Sequence, residues 1–357
     1  MQMKSMDRHI IHISDSFLTA LERLNALSGD VMTLIAVDSD GRLCGTLTDG
    51  DVRRALLRGV PVTSAVADFI NRGARYLVDG AIDLDSLRRY RAEGLRLIPV
   101  VDTSMRPVRL INTAVTHSQL PLQAILMAGG KGERLRPLTL TCPKPLLKIG
   151  SKAIIDYNVE ALARVGISDV TVTVNYLASM MEDHFSRPVA GINVKCVRED
   201  MPLGTLGAAS LVPLPPQGDT LVMNSDLLTT ISIEDMYLLH RSEHADITVA
   251  SVPYTVSVPF AILRTEGQRI LSLQEKPTYT YQANGGIYII SNRLLRELPS
   301  DARTDATDLI ESALARGLSV AYFPVSGTWI DIGSPQDYTR ACELMKHHRQ
   351  LSSNSDC

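Results

Sequence analysis

The sequence has few of the residues that build small disulfide-rich or zinc-binding domains. Its 357 residues include five cysteines, at positions 44, 142, 196, 342 and 357, and no CxxC pair. An odd number of scattered cysteines argues against a disulfide framework and against a structural zinc site. The N-terminal residues also lack the long apolar core of a signal peptide. We therefore expect a protein of the reducing cytoplasm.

Long hydrophobic runs and a charge of one sign are also missing. A long uncharged stretch, residues 247–263, is interrupted by Pro253 and Pro259, which is typical of strands rather than of a membrane span. The formal net charge is -3, so we expect neither nucleic acid nor a membrane surface as a partner. Apolar residues make up 45% of a chain longer than one ordinary domain, which is enough for two or three cores.

The pattern of apolar residues changes near residue 120. Before it, residues 16–27 have the apolar periodicity of a helix. Residues 31–48 then predict a strand, an Asp-Gly turn and a second strand, and residues 49–60 predict the capped start of another helix. Residues 66–111 repeat this order more weakly, which suggests an internal repeat. We predict that residues 1–120 form a separate α+β region.

After residue 120, short apolar strands alternate with amphipathic helices. Strands are predicted at 123–128, 169–175 and 219–228, and a helix at 154–166. This alternation predicts an α/β fold with a mixed, mainly parallel sheet covered on both faces. Ligands of such sheets bind at the carboxyl ends of the strands.

A glycine-rich segment with three cations follows the strand at 123–128. The stretch 127–136 reads MAGGKGERLR, with cations at Lys131, Arg134 and Arg136. Its glycines allow backbone N–H groups to approach an anion, although a plain tight turn is an alternative because the spacing is neither GxGxxG nor a P-loop. Pro143 and Pro145 stiffen the backbone around Lys144. The two segments together predict a triphosphate clamp.

Two aspartates, Asp226 and Asp331, lie within or directly after apolar stretches. A carboxylate in such a place is costly unless it is paired or bound to metal. Mg²⁺ prefers oxygen ligands and is held by one or two carboxylates plus substrate phosphates. Either residue could instead cap a helix, and Asp331 could pair with an arginine. We predict a magnesium site formed by both.

Three further segments have residues suited to a nucleotide or a sugar phosphate. Gly204, in PLGTLGAA, allows close backbone approach to a ligand, or forms a plain turn before a helix. Glu275 and Lys276 offer a hydroxyl acceptor beside a phosphate donor. Asn284 and Gly285, at the head of an apolar strand, could bind a sugar hydroxyl or only form a turn.

These motifs, in this order over residues 125–340, resemble those of the sugar nucleotidyltransferases, or NDP-sugar pyrophosphorylases. That family includes mannose-1-phosphate guanylyltransferases and glucose-1-phosphate thymidylyltransferases. The resemblance implies a Rossmann-like catalytic domain over 121–348, followed by a polar tail over 349–357. The sequence departs from many relatives at Glu133 and Leu206, where Thr and Ala are common.

The resemblance also implies a role for each candidate residue. Catalytic roles would belong to Arg134, Lys144, Asp226 and Asp331, of which the two aspartates would ligate Mg²⁺. Nucleotide-binding residues would be Ala128, Gly129, Gly130, Gly132 and Gly204. Sugar-phosphate-binding residues would be Glu275, Lys276, Asn284 and Gly285.

Residues 1–120 resemble a pair of cystathionine-β-synthase (CBS) domains, most clearly in GTLTDGDVRRAL at 45–56. In that family Thr48 and Asp51 would hold an adenine nucleotide. A purely structural, dimerising pair is an equal alternative. CBS pairs ahead of this catalytic domain resemble hexosamine-1-phosphate guanylyltransferases of nonulosonate (legionaminic-type) biosynthesis.

The resemblance implies an Mg²⁺-dependent enzyme of the sugar-1-phosphate nucleotidyltransferase class. It would convert GTP and a hexose or hexosamine 1-phosphate to a GDP-sugar and pyrophosphate by in-line attack at the α-phosphorus. A catalytically inactive CBS-type nucleotide sensor is one alternative, and the same enzyme class with dTTP, CTP or UTP is another. A homo-oligomer is expected.

Overall fold

The computed structural model of the chain describes residues 6–80 and 82–353. The chain divides into two compact units. Unit 1 comprises Met1–Gln119 with Arg164–Gly166, and unit 2 comprises Leu120–Ala163 and Ile167–Cys357. Within the described ranges, no helix has the length and apolar character needed to cross a membrane.

Unit 1 contains two three-stranded sheets with one pairing pattern. In each, the first strand runs parallel to the second and the third runs antiparallel to it. The first sheet and its helices are β1 (Ile10–His12), α1 (Phe17–Ala26), β2 (Thr33–Val37), β3 (Leu43–Thr48) and α2 (Asp49–Leu57). The second comprises β4 (Leu77–Val78), α3 (Leu84–Ala92), β5 (Leu97–Val101) and β6 (Pro107–Asn112).

Local sequence explains where α1 begins. Ser16 has an extended backbone and its hydroxyl accepts a hydrogen bond from the Thr19 N–H at 3.1 Å, which satisfies one of the free donors of the first turn. Phe17 then packs its ring 4.5 Å from that of Phe69 in the core. The predicted helix at 16–27 is confirmed.

Unit 2 is built on a seven-stranded sheet. The strands are β7 (Leu122–Ala128), β10 (Val170–Val174), β11 (Lys195–Arg198), β12 (Asp219–Asn224), β14 (Ile247–Ser257), β17 (Thr278–Ser291) and β18 (Val320–Pro324). Their order in the sheet is β11-β10-β7-β12-β17-β14-β18. Strands β11, β10, β7 and β12 are parallel neighbours, β17 is antiparallel to β12 and β14, and β18 is parallel to β14. The predicted mixed, mainly parallel sheet is confirmed.

The other elements of unit 2 are helices and three small two-stranded sheets. The helices are α4 (Ile154–Arg164), α5 (Ala178–His184), α6 (Ile233–Ser242), α7 (Asn292–Leu295), α8 (Ala306–Ala315) and α9 (Pro335–Ser353). The small sheets pair β8 (Lys148–Ile149) with β9 (Lys152–Ala153), β13 (Leu227–Thr229) with β19 (Trp329–Asp331), and β15 (Ile262–Glu266) with β16 (Arg269–Gln274). The predicted polar tail over 349–357 is helical as far as Ser353, and its last four residues lie outside the described residues.

Two strand pairings bring the candidate residues together. Strands β7 and β12 are adjacent and parallel, so the glycine loop after Ala128 and the segment after Asn224 leave the sheet at the same edge. Strand β13 pairs antiparallel with β19, with Leu227 opposite Asp331. Asp226, one residue before Leu227, therefore lies close to Asp331.

Beyond the sheet, β14 and β17 continue as a two-stranded ribbon that leads into the β15–β16 hairpin. We call residues 253–282 the β-arm. Apart from Val258, Ala261 and Pro277, every residue of the β-arm is exposed.

Candidate functional site

A cleft of about 570 Å³ opens at the carboxyl edge of the central sheet. Eight residues that the sequence singles out line it: Ala128, Gly129, Gly130, Gly132, Arg134, Lys144, Gly204 and Asp226. They come from four separate segments of the chain, one of which is the segment around Gly204. The fold thus places the glycine loop, the Pro-Lys-Pro segment and the end of β12 around one space.

At one end of the cleft, Lys144 and the Asp226 carboxylate line the wall, and the Asp331 carboxylate lies next to them. Lys144 donates a short hydrogen bond from Nζ to Asp226 Oδ2, and the same Nζ lies 3.7 Å from Asp331 Oδ1. The Oδ1 atoms of Asp226 and Asp331 are buried and have no hydrogen-bond partner among the described residues. Buried polar atoms are nearly always paired in folded proteins, so these two oxygens indicate a missing ligand.

The donor set fits a hard divalent cation. Both unpartnered atoms are carboxylate oxygens, the ligand type that Mg²⁺ prefers. In the part of the chain that the structure describes, no cluster of three or more His, Cys, Asp or Glu side chains could hold a metal. A cation at Asp226 and Asp331 would therefore need further ligands from substrate or water, which is usual for Mg²⁺.

The electrostatics at this end favour added positive charge. Burial raises the pKa of the Asp331 carboxyl, and the neighbouring Asp226 carboxylate raises it further. The cations Lys144 and Arg134 oppose that shift. Because the raised pKa reflects poor solvation and repulsion between like charges, a bound cation would stabilise both ionised carboxylates.

The glycine loop packs directly against the lysine. Gly132 has a φ of +60°, and a Cβ atom there would lie 3.2 Å from Lys144 Cβ and 3.0 Å from the methyl group of Thr139. The Thr139 hydroxyl also donates a hydrogen bond to the Gly132 carbonyl at 2.8 Å. Glycine at 132 is thus required by both the backbone conformation and the available space.

The other end of the cleft contains Glu199, which the sequence reasoning did not single out. A Cβ atom at Gly129 would collide with Glu199 Oε1, and the Leu203 N–H donates to Glu199 Oε2 at 3.3 Å. Burial raises the pKa of this carboxyl, partly offset by the Leu203 hydrogen bond. The signal available in the sequence was its position between strand β11 and the PLGT segment.

Arg303 is a second residue of this end that the sequence reasoning missed. It lines the cleft, its side chain is largely exposed, and its Nη2 donates to Asp305 Oδ2 at 3.0 Å. Asp305 Oδ1 in turn accepts the Thr205 N–H at 2.8 Å, and this hydrogen bond is the largest cause of the lowered pKa of Asp305. No motif in the sequence marks Arg303, because it joins the cleft only through tertiary packing.

Comparison with known proteins identifies the family. The family model for nucleotidyl transferases matches residues 123–348, which is more than half of the chain and includes every residue of the cleft. This chain belongs to the nucleotidyl transferase family.

The curated relatives of this nucleotidyl transferase include several mannose-1-phosphate guanylyltransferases. The catalytic subunit beta from Dictyostelium discoideum is 30% identical over 225 residues, which is 61% of this chain and 62% of that protein. The Schizosaccharomyces pombe mannose-1-phosphate guanyltransferase is 30% identical over 248 residues, which is 64% of this chain and 67% of that protein. Mannose-1-phosphate guanylyltransferase 1 of Arabidopsis thaliana is 31% identical over 236 residues, which is 62% of this chain and 64% of that protein. The chain thus spans about 62% of the length of the first of these relatives.

Besides Asp331, which lies next to Lys144, four predicted residues of the nucleotidyl transferase do not line the cleft. Glu275 and Lys276 are exposed on the β-arm. Asn284 Oδ1 accepts the Gly286 N–H at 2.9 Å, and the Gly285 carbonyl accepts a hydrogen bond from Trp329 Nε1 at 2.9 Å. Asn284 and Gly285 thus make structural contacts, and the sugar-phosphate role of all four stays a prediction.

The predicted regulatory pair in unit 1 forms a capping box. The hydroxyl and the N–H of Thr48 donate to Asp51 Oδ2 at 2.6 and 2.8 Å, and the Asp51 N–H donates to Thr48 Oγ1 at 3.3 Å. Asp51 also pairs with Arg54. Thr48 lines a second cavity of about 710 Å³, whereas Asp51 does not. The binding of an adenine nucleotide here remains a prediction.

Proposed function

We propose that unit 2 transfers a nucleotidyl group from GTP to a sugar 1-phosphate and releases pyrophosphate. One observation carries this proposal: Lys144 and Asp226 line the cleft beside the glycine loop, and Asp331 Oδ1 lies 3.7 Å from Lys144 Nζ, with one buried oxygen of each aspartate lacking a hydrogen-bond partner among the described residues. Family membership and the guanylyltransferase names of the relatives support it.

The reaction needs positioning and charge neutralisation more than proton transfer. A phosphate oxygen of the sugar 1-phosphate forms a bond to the α-phosphorus of the nucleotide. The bond from the α-phosphorus to the oxygen that bridges it to the β-phosphate breaks, and pyrophosphate leaves with the electron pair. The attacking phosphate is already ionised, so no side chain has to remove a proton. Such transfers depend on alignment and preorganised charge.

Each segment of the cleft has a part in that task. The glycines after Ala128 line the space where phosphates would lie, so their N–H groups are available as donors, and Arg134 and Lys144 add positive charge. A divalent cation held by Asp226 and Asp331 would supply charge neutralisation at the reacting phosphate oxygens. Lys144, which now pairs with Asp226, is close enough to both carboxylates to keep them oriented before substrate arrives.

Glu199 and Arg303 support guanine as the base. Guanine presents an N2 amino donor, as well as acceptors at O6 and N7, whereas adenine presents a donor at N6. A carboxylate such as Glu199 accepts from the donors of guanine, and a guanidinium such as Arg303 donates to O6 and N7.

The placement of these two side chains also fits one base. Glu199 accepts the N–H of Leu203, and Asp305, which holds Arg303, accepts the N–H of Thr205. The two backbone nitrogens are two residues apart and hence at most roughly 7 Å from each other. A purine held between Glu199 and Arg303 would have complementary groups on both edges.

The sugar half of the reaction rests on the predicted residues of the β-arm and the head of the buried part of β17. Lys276 offers a cation for the sugar phosphate, and Glu275 and Asn284 offer hydroxyl partners. Hexosamine 1-phosphates and hexose 1-phosphates are both suitable substrates. Among these candidate substrates we favour mannose 1-phosphate, because the names of the relatives contain it. The regulatory role of unit 1 toward an adenine nucleotide belongs to the same proposal.

A matrix of four nucleoside triphosphates against several sugar 1-phosphates tests the proposal by release of pyrophosphate with Mg²⁺, in the presence and absence of AMP. We expect turnover with GTP to exceed that with ATP, CTP and dTTP. Binding of GTP without turnover for any sugar phosphate would instead indicate an inactive nucleotide sensor. Turnover that is fastest with a pyrimidine nucleotide would refute the role of Glu199 and Arg303.

A further inference from the structure

We propose that the two residues after strand β10, Asn175 and Tyr176, are positioning residues for the two ends of the nucleotide site. The inference rests on the proposed function, because it assigns the supports of that same cleft. Neither residue lines the cleft. Tyr176 holds the segment that packs against the glycine loop, and Asn175 holds the backbone of Glu199.

The side chain of Tyr176 reaches the segment between the glycine loop and Lys144. Its hydroxyl donates to the carbonyl oxygen of Thr139 at 3.0 Å and to that of Leu140 at 3.2 Å. A tyrosine hydroxyl has one hydrogen to donate, so the two carbonyl oxygens share it. The bond to Thr139 joins positions 37 apart in the chain, so it ties the end of β10 to a distant segment.

Thr139 connects this contact to the glycine loop. Its side chain is buried, and its hydroxyl donates to the carbonyl oxygen of Gly132 at 2.8 Å. A Cβ atom at Gly132 would lie 3.0 Å from the methyl group of Thr139 and 3.2 Å from Lys144 Cβ. Tyr176, Thr139, Gly132 and Lys144 therefore form one packed series. A shift of Thr139 would change the space that the loop and the lysine occupy.

The segment around Thr139 has little apolar burial to hold it in place. Leu138 is 44% exposed and Leu140 is 53% exposed. Segments with few buried apolar contacts open easily, and a loop that has to be ordered on binding lowers the affinity for the ligand. The hydrogen bonds of Tyr176 reduce that cost, because they fix the segment before a triphosphate arrives.

Asn175 makes the corresponding contact at the base-binding end. Its Nδ2 donates to the carbonyl oxygen of Glu199 at 2.9 Å. The N–H of Glu199 donates to the carbonyl oxygen of Val174, the last residue of β10, at 2.8 Å. The backbone of Glu199 is thus held on both sides by residues 174 and 175. Because its carboxylate is the proposed partner of guanine, a fixed backbone keeps that carboxylate in position for the base.

Titration calorimetry of the full chain with GTP, ATP and pyrophosphate, each with Mg²⁺, separates the two roles. Tyr176→Phe removes one hydroxyl and should weaken the binding of all three ligands by the same factor. Asn175→Ala should weaken the binding of GTP and leave that of ATP and pyrophosphate unchanged. Each effect should be roughly 2- to 13-fold, the factor to which the net free energy of one hydrogen bond corresponds.

Tyr157→Phe is the matched control in the same unit. Tyr157 also donates from its hydroxyl to a backbone carbonyl, that of Ile149 at 2.7 Å, and neither of these residues lines the cleft. We expect Tyr157→Phe to lose thermal stability, as Tyr176→Phe does, without a change in any of the three affinities. A purely structural role of Tyr176 would give the two variants the same binding profile.

Binding of pyrophosphate to Tyr176→Phe as tight as to the wild type would overturn the role of Tyr176. An unchanged ratio of the affinities for GTP and ATP in Asn175→Ala would overturn the role of Asn175. Equal losses for all three ligands in all three variants would indicate a general loosening of unit 2 and would overturn both roles. A wild-type protein that binds none of the three ligands would overturn the proposed function, and this inference with it.

Discussion

The two units of the molecule treat their candidate acidic residues in opposite ways. In unit 1, Asp51 is satisfied by Thr48 and Arg54, and it caps helix α2. In unit 2, Asp226 and Asp331 each keep one buried oxygen without a hydrogen-bond partner among the described residues. Both pairs of residues were candidates for ligand contact in the sequence. The difference indicates that the carboxylates of unit 2 are kept available for a ligand, whereas those of unit 1 already have a structural task.

Replacing a carboxylate of unit 2 should have the largest effect. Asp226→Asn removes a charge from the cleft but keeps its shape, so we expect a loss of roughly 10²–10³ in kcat/KM with unchanged circular dichroism. Asp301→Asn, at an exposed position that does not line the cleft, is the matched control and should turn over normally. Near-normal turnover of Asp226→Asn would mean that the carboxylates of unit 2 are not kept available for a ligand, and the contrast with unit 1 would be lost.

The base-binding end of the cleft predicts a change in selectivity. Arg303→Ala should lower the preference for GTP over ATP by roughly 5- to 150-fold, since a good contact to a base edge contributes about 1–3 kcal/mol of discrimination. Arg316→Ala serves as the control, because Arg316 pairs with Glu297 and does not line the cleft. An unchanged ratio of kcat/KM values for GTP and ATP would contradict the role of Arg303.

Glu199 predicts a dependence on pH. Burial raises the pKa of its carboxyl, so the ionised form that accepts from guanine is lost on acidification earlier than for an ordinary glutamate. The KM for GTP should therefore rise as the pH falls from neutral. In Glu199→Gln the KM at neutral pH should be higher than that of the wild-type protein, and it should not change as the pH falls. If the KM of the wild-type protein for GTP stayed constant as the pH falls from neutral, this would count against a carboxylate contact to the base.

The same raised pKa fixes the sign of a stability effect. The contribution of Glu199 to folding is fully present below its unfolded pKa and is lost as the pH rises through the folded one. At neutral pH the buried carboxylate opposes folding, so Glu199→Gln should not lower the midpoint of thermal unfolding. A clear decrease of that midpoint would indicate a structural role instead.

The smallest expected effect concerns unit 1. Thr48→Ala removes the N-cap of α2 and should destabilise the protein by about 1 kcal/mol. Thermal unfolding followed by circular dichroism measures the change. Thr103→Ala, at an exposed turn, is the control and should have no measurable effect. Equal midpoints for Thr48→Ala and wild type would mean that the capping box contributes little.

Sequence reasoning was most successful where the signal is local. The strand before the glycine loop, the helix at 154–166 and the strand at 219–228 depend on apolar periodicity and on capping within a few residues. Asp226 and the glycines were predicted because each belongs to a short motif at the end of such a strand, and Lys144 was predicted because two prolines flank it. Glu275 and Lys276 were also found by motif, but the structure places them on the exposed β-arm rather than on the wall of the cleft.

The sequence by itself determined which segments become strands and helices, and which positions need glycine, because those choices depend on neighbouring residues. Only the tertiary structure decided that Asp331 lies beside Asp226, since that follows from the pairing of β13 with β19 across about a hundred residues. It also decided that Lys144 lies between the two carboxylates and that Glu199 and Arg303 share a cleft. Contacts between distant segments follow from how the sheet and its loops pack, which no local pattern specifies.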